Sequence, residues 1–254
     1  MGEIAVTSEV VDLEEISAGV AQITMHDRVN KNTFSEDLVG GLGRAFERIR
    51  IEPRFRVVII TGYDTYFCSG GTQEGLLMLH EGRGKFTDLT IYSAALDCEI
   101  PVISAMQGHG IGGGLVFGMF ADFVILSRES VYTANFMKYG FTPGMGATYV
   151  LPKKLGTSLA EEMMLSARTY RGSDLEKRGI PFSVLARADV LPYARQLALD
   201  VAEKPRTSLV MLKSHLTEEI RCQLPKVIER EVAMHAKTFH SPGVRERIVD
   251  SFGG

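Results

Sequence analysis

The chain has 254 residues, 45% of them hydrophobic and 23% charged, with a formal net charge of -3. That length fits one large domain or a medium domain with an appendage, and the composition is that of an ordinary globular protein, which excludes disorder. A mildly acidic chain lacks the basic field that neutralises a phosphate backbone, so nucleic acid is excluded as the main partner.

The opening MGEIAVTSEVVDLEEIS has no basic start and no long apolar core, and no later stretch has the uncharged length of a membrane span. A cytoplasmic address without membrane contact is expected. Residues 20–25 (VAQITM) form a short β-rich run. Phe34 to Arg50 places Leu38, Leu42, Ala45, Phe46 and Ile49 at helical spacing after the cap candidate Ser35. The continuous apolar run from Arg56 to Thr61 predicts a strand covered on both faces.

Residues 72–90 read as a polar segment, within which 80–88 (HEGRGKFTD) predicts an exposed mobile loop of the kind that carries chemistry. A helical pattern then runs through Leu96, followed by a strand over Pro101–Met106, a glycine-rich turn, an apolar helix and a strand over Phe123–Leu126. This βαβ order predicts an α/β fold with a parallel sheet covered by helices. Beyond about residue 155 helical patterns follow one another over 158–167, 189–203, 206–217 and 224–239, which predicts a core over 1–190 and a C-terminal helical subdomain over 191–254. The charged run 170–179 reads as a turn with a solvated helix.

Three cysteines, Cys68, Cys98 and Cys222, are scattered with no CxxC pair and read as reduced thiols rather than a metal or redox site. Two glycine clusters each follow an apolar strand: Tyr66-Phe-Cys-Ser-Gly-Gly-Thr72 and Gln107-Gly-His-Gly-Ile-Gly-Gly-Gly114. Glycine lets backbone approach a ligand closely, and the first N–H groups of a helix lack intrahelical partners, so a strand–glycine–helix junction is suited to developing negative charge. Two such N–H groups around one oxygen make an oxyanion hole. Tight turning explains either cluster alone equally well. Neither contains a GxxxxGK[ST] phosphate loop, and GHGIGGG has no acidic ribose partner at convincing spacing.

Among titratable residues, Lys85 sits in the polar loop, where on position alone it is a solvated surface lysine. His235 and His240 fall on different faces of one C-terminal helix because their spacing is not a helical repeat. His80 and His109 read as turn histidines that satisfy local backbone groups, and Gln73 follows the first glycine cluster closely enough to contact substrate. Arg28 and Lys31 are surface cations able to meet an acidic partner or a phosphate.

The order Asn30-Lys-Asn-Thr-Phe34, VVIITG, FCSGGT, PVISAMQGHGIGGG and Phe141-Thr-Pro-Gly-Met-Gly-Ala147 resembles the crotonase, or enoyl-CoA hydratase, superfamily over nearly the whole chain. The resemblance implies a spiral of ββα units, a homotrimer or hexamer whose C-terminal helices pack against neighbouring subunits, and oxyanion donors at the N–H groups of Gly71 and Gly113. Hydratases of the family use two glutamates, and the positions matching them here hold Val116 and Phe136. Neither side chain transfers a proton, so hydration is not expected.

SGGTQEGLL, KFTD, LDCEIPV, MQGHGIGGG, YRGSDLEKRG and HAKTFH further resemble the decarboxylating hydratase homologues of β-branching cassettes in polyketide synthase clusters. That resemblance implies decarboxylation of a 3-methylglutaconyl group on an acyl carrier protein to 3-methylcrotonyl, with no metal or redox cofactor. The thioester rides on the phosphopantetheine of the carrier or on CoA. It also implies a catalytic pair of Lys85 and His235, with His240 as the second choice of histidine. An isomerase, a dehydratase or a non-catalytic scaffold of the same fold stands as the alternative.

Overall fold

A computed structural model describes residues 6–8 and 10–252. The chain opens with β1 (Val6–Ser8), β2 (Val11–Ser17) and β3 (Val20–Met25), then α1 (Glu36–Ile51). It continues through β4 (Val57–Thr61), β5 (Tyr66–Cys68), α2 (Gln73–His80), α3 (Ala94–Asp97), β6 (Val102–Met106), β7 (His109–Ile111) and α4 (Gly113–Met119). Next come β8 (Phe123–Ser127), β9 (Val131–Thr133), α5 (Ala147–Leu155), α6 (Thr157–Ser166), β10 (Tyr170–Arg171), α7 (Gly172–Lys177) and β11 (Ser183–Leu185). Three helices close it: α8 (Arg187–Ala202), α9 (Arg206–Thr238) and α10 (Val244–Phe252).

Among the described residues two sheets form, one ordered β1-β2-β3-β4-β6-β8-β11 and the other β10-β9-β7-β5. From β3 onward the larger sheet is parallel. Its strands β4 and β6 are buried at every position, which is why they read as unbroken apolar runs. Successive passes of the chain add one strand to each sheet before a helix, as in β4–β5–α2 and β6–β7–α4, the ββα spiral expected. The smaller sheet is absent from the sequence reading because its strands have only two or three residues, too few to show a period.

α1 forms where expected: Ser35 accepts the Leu38 N–H at 3.2 Å, acidic Glu36 and Asp37 sit in the first turn, and Leu38, Leu42, Ala45 and Ile49 are buried. The segment read as polar over 72–90 contains α2, capped by Thr72, whose side chain accepts the Gly75 N–H. The two helices expected at 206–217 and 224–239 are one 33-residue helix, α9, which continues through Pro225. The division expected between 190 and 191 falls inside α8, whose Val190, Ala194, Ala198 and Ala202 pack on Val20, Val57, Ile59, Ile103 and Ile125 of the larger sheet. α8 is thus part of the core, and the helical extension starts with α9. Among the described residues no helix is long and apolar enough to cross a membrane.

Candidate active site

The parallel pairing of β5 with β7, Tyr66 opposite His109 and Cys68 opposite Gly110, lays the two glycine turns side by side. The approach is close enough to forbid side chains. A Cβ on Gly114 would stand 2.1 Å from the Cys68 carbonyl oxygen, and one on Gly70, itself at φ 79°, would stand 3.1 Å from the Gly113 nitrogen. Gly71 and Gly113 line one cavity of about 410 Å³, within the range of small-ligand sites. Gly113 is the first residue of α4, so its N–H has no intrahelical acceptor. Among the described residues neither the Gly71 nor the Gly113 N–H donates to a protein acceptor.

Asn32 holds the first glycine turn from below. It is fully buried in a left-handed conformation, φ 53°, that Asn tolerates better than most residues. Its Nδ2 donates to Met25 O at 3.1 Å and Phe67 O at 2.9 Å, and its Oδ1 accepts the Asp27 N–H at 2.8 Å. Its carbonyl accepts the Ser69 N–H, while Gly70 O accepts the Phe34 N–H at 2.7 Å. The motif Asn30-Lys-Asn-Thr-Phe34 therefore ties the N-terminal sheet to the turn that carries Gly71.

Lys85 is exposed and lines the same cavity as Gly71 and Gly113. Its backbone N–H donates to Asp88 Oδ2 at 2.7 Å, which pins the 3-10 turn Phe86–Asp88. Among the described residues its ammonium forms no ion pair. Lys85 and Phe86 also line a second cavity, of about 500 Å³, on the other side of their loop. His235 and His240 belong to that second cavity and not to the first.

His235 is buried, with its ring 4.3 Å from that of Phe86 and its Nε2–H donating to Thr142 O at 2.6 Å. That bond leaves the Nδ1 lone pair free in the neutral ring. Burial pushes its pKa below the usual 6.5, and the Thr142 and Pro143 carbonyls oppose the shift only in part. His240 is exposed, beyond the end of α9, with Nδ1–H donating to His80 O at 2.7 Å. Thus Lys85 and the two glycines converge, and His235 stands behind Phe86.

The remaining expectations fall as follows. Phe136 lines the cavity, whereas Val116 is buried in α4 and does not. Gln73 lies in an adjoining outer groove with Lys31, Ser69 and Thr72 rather than in the glycine cavity. His80 donates Nδ1–H to Phe239 O at 2.7 Å, and His109 Nδ1 accepts the Val131 N–H at 3.1 Å, so both serve local backbone groups. Cys68 is buried, and desolvation raises its thiol to about 12, far from a reactive thiolate. Arg28 pairs with Asp64 at 2.6 Å on the surface. Among the described residues no three His, Cys, Asp or Glu side chains converge on a possible metal position. The sequence reading missed the anchoring role of Asn32, the partition made by Phe86 and the contribution of Tyr139 and Met145 to the cavity wall. Each depends on a contact between distant segments.

Comparison with known proteins agrees with this geometry. The enoyl-CoA hydratase/isomerase family model matches residues 15–252. The chain is 64% identical to the bacillaene synthase decarboxylase PksI of Bacillus subtilis (strain 168), over 97% of this chain and 99% of that one. A solved structure of a dehydratase/decarboxylase enzyme couple involved in polyketide β-branching is 65% identical over 94% of both chains, with a TM-score of 0.93. The ECH2 decarboxylase domain of CurF from Lyngbya majuscula is 46% identical over 96% of this chain and all of that one, also at 0.93. With two glycine turns facing one cavity, and a family model matching all but the two ends of the chain, this protein belongs to the enoyl-CoA hydratase/isomerase, or crotonase, family.

Proposed function

We propose that this protein is a crotonase-family decarboxylase of polyketide β-branching that acts on a 3-methylglutaconyl thioester carried by an acyl carrier protein. The observation that carries the reading is the content of one cavity: Gly71, Gly113 and Lys85 line it together with Phe136, the residue that the family resemblance matches to a hydratase glutamate. The similarity to named decarboxylases supports the same reaction class.

The thioester oxygen takes the Gly71 and Gly113 N–H groups, and the distal carboxylate lies by the Lys85 ammonium. Breaking the bond between the carboxylate and C4 releases CO2 and sends the electron pair through the conjugated system to the thioester oxygen. The two N–H groups stabilise that charge without reorganisation, a contribution of about 2.7–4 kcal/mol per donor in comparable sites. A proton delivered to C4 then gives the 3-methylcrotonyl thioester.

Burial disfavours the charged form of His235, which stands outside the glycine cavity, whereas Lys85 lines that cavity and is the residue placed to deliver the proton. His235 supports the loop through Phe86. The chemistry calls for no metal or redox cofactor. The exposed Met211, Leu212 and Leu216 on α9 support a homotrimer or hexamer built through that helix.

The test is mass spectrometry of a carrier protein loaded with 3-methylglutaconyl thioester. The wild-type enzyme is expected to remove the mass of CO2, and Lys85→Ala to do so at least about 10²-fold more slowly. An unchanged mass with wild type overturns the decarboxylase reading.

A further inference from the structure

Glu231 is one helical turn before His235 on α9, and both are buried, at 1% and 7% exposure. A buried carboxylate is costly unless its lone pairs are satisfied, and here they are satisfied by the start of another helix. Oε2 accepts the Gly146 N–H at 2.7 Å, and Oε1 accepts the Thr148 N–H at 2.9 Å and the Thr148 hydroxyl at 2.5 Å. Gly146 is the N-cap of α5 and has no side chain to cap with. Glu231 supplies that cap from 85 residues away in sequence. Burial pushes its carboxyl up against the pull of these three bonds, and no cation is paired with it among the described residues.

The segment so capped is the turn Phe141–Gly146, which touches the site in two places. His235 donates to Thr142 O, and its ring edge leaves no room at Gly144, where a Cβ would stand 2.4 Å from Cε1. Met145, at φ 62°, lines the glycine cavity, and its sulfur lies 2.8 Å from where a Cβ on Gly113 would be. The next turn of α9 also grips the segment, because Thr238 Oγ1 accepts the Thr142 N–H at 3.3 Å.

We infer that Glu231 is a positioning residue: by capping α5 from α9 it fixes one turn that sets both the imidazole of His235 and the packing of Met145 against Gly113. A carboxylate is required because all three partners donate. A glutamine would turn its own N–H2 toward one of them. Glu231 lies outside the glycine cavity.

The inference rests on the decarboxylase reading for its kinetic arm only. In Glu231→Gln, kcat for CO2 release from the 3-methylglutaconyl carrier protein is expected to fall about tenfold or more. KM is expected to stay within about threefold. The NMR titration midpoint of His235 is expected to rise toward the ordinary imidazole value as the turn loosens and water reaches the ring. Thr148→Val removes one of the three donors and is expected to move kcat and the midpoint the same way by less; it keeps the test open should Glu231→Gln fail to fold. Folded variants with lower thermal stability but wild-type kcat and His235 midpoint would reduce Glu231 to a stabilising cap and overturn the inference. If wild type itself releases no CO2, the functional reading fails while the His235 midpoint still decides the role of Glu231.

Discussion

Phe86 lies with its ring 4.3 Å, centroid to centroid, from the imidazole of His235, and of the two only Phe86 lines the cavity that holds Gly71 and Gly113. The phenyl ring is therefore both the wall of the site and the cover that shields His235 from it. Because burial lowers the His235 pKa from 6.5, the unfolded chain takes up this proton first as pH falls. Stability from the neutral ring is fully present above about 6.5 and declines as pH falls from there toward the lowered folded value. A plot of urea midpoint against pH is expected to fall in that window for wild type and to be flatter for His235→Gln. His109 is lowered by burial too, so the difference between the two curves isolates His235. Phe86→Ala is expected to raise the His235 midpoint in an NMR titration, and an unmoved midpoint removes Phe86 as the cover.

Lys85 offers a way to separate charge from proton transfer. Its side chain is exposed, so replacement is expected to change stability by about 0.5 kcal/mol or less. Lys85→Ala is expected to lower kcat by about 10²- to 10⁴-fold, the usual range for a lost general acid. Lys85→Arg keeps a cation for the distal carboxylate but does not release a proton near neutral pH. It is expected to hold KM near wild type while losing most of kcat. A Lys85→Arg enzyme that keeps wild-type kcat as well as KM would assign Lys85 to carboxylate binding alone.

Two adjacent glycines should respond oppositely to the same substitution. At Gly114 an added methyl meets the Cys68 carbonyl oxygen at 2.1 Å, backbone against backbone, so Gly114→Ala is expected to cost about 3 kcal/mol or more and to yield little folded protein. At Gly113 the methyl meets Met145 sulfur at 2.8 Å and Phe34 Cε2 at 3.1 Å, and the flexible thioether can withdraw. Gly113→Ala is expected to fold, with a thermal transition close to wild type, but to lose about 10²-fold in kcat as the substrate oxygen is displaced from the N–H. Soluble Gly113→Ala with wild-type kcat would show that the added methyl does not push the substrate oxygen off this N–H.

How much of this was legible depended on how local the determining contacts are. α1 was readable because Ser35 caps it and Leu38, Leu42, Ala45 and Ile49 share one face. The strands β4 and β6 were readable because both their faces are buried. α9 was broken in two on paper because Pro225 and the polar stretch before it interrupt the apolar period, yet a proline removes only one hydrogen bond from a long helix. Gly71, Gly113 and Lys85 carried motifs that resemblance could place. Glu231 carried none, and Asn32 sat in a motif that gave no hint of its role, since Gly146 and Phe67 lie 85 and 35 residues away in sequence and only the fold brings these partners together.

Asn32 gives the sharpest test of that long-range wiring. Asn32→Ala removes the acceptor for the Asp27 N–H and the donors to Met25 O and Phe67 O in a fully buried place. With unsatisfied buried groups left behind, it is expected to destabilise the protein by about 2–4 kcal/mol. Asn32→Gly loses the same bonds but not the tolerance of φ 53°, so it is expected to be milder than alanine by about 1 kcal/mol. Asn32→Asp keeps an acceptor for Asp27 and sets a buried carboxylate against two carbonyl oxygens. Folding then favours the protonated carboxyl, its folded pKa is raised, and the deficit relative to wild type shrinks as pH falls into the carboxylate range. Urea denaturation of the three variants at neutral and acidic pH measures all of this. Both loss of stability and loss of turnover are expected, because Asn32 O also accepts the Ser69 N–H two residues before Gly71. A stable Asn32→Ala enzyme with normal kcat would show that the glycine turn holds its shape without the N-terminal sheet.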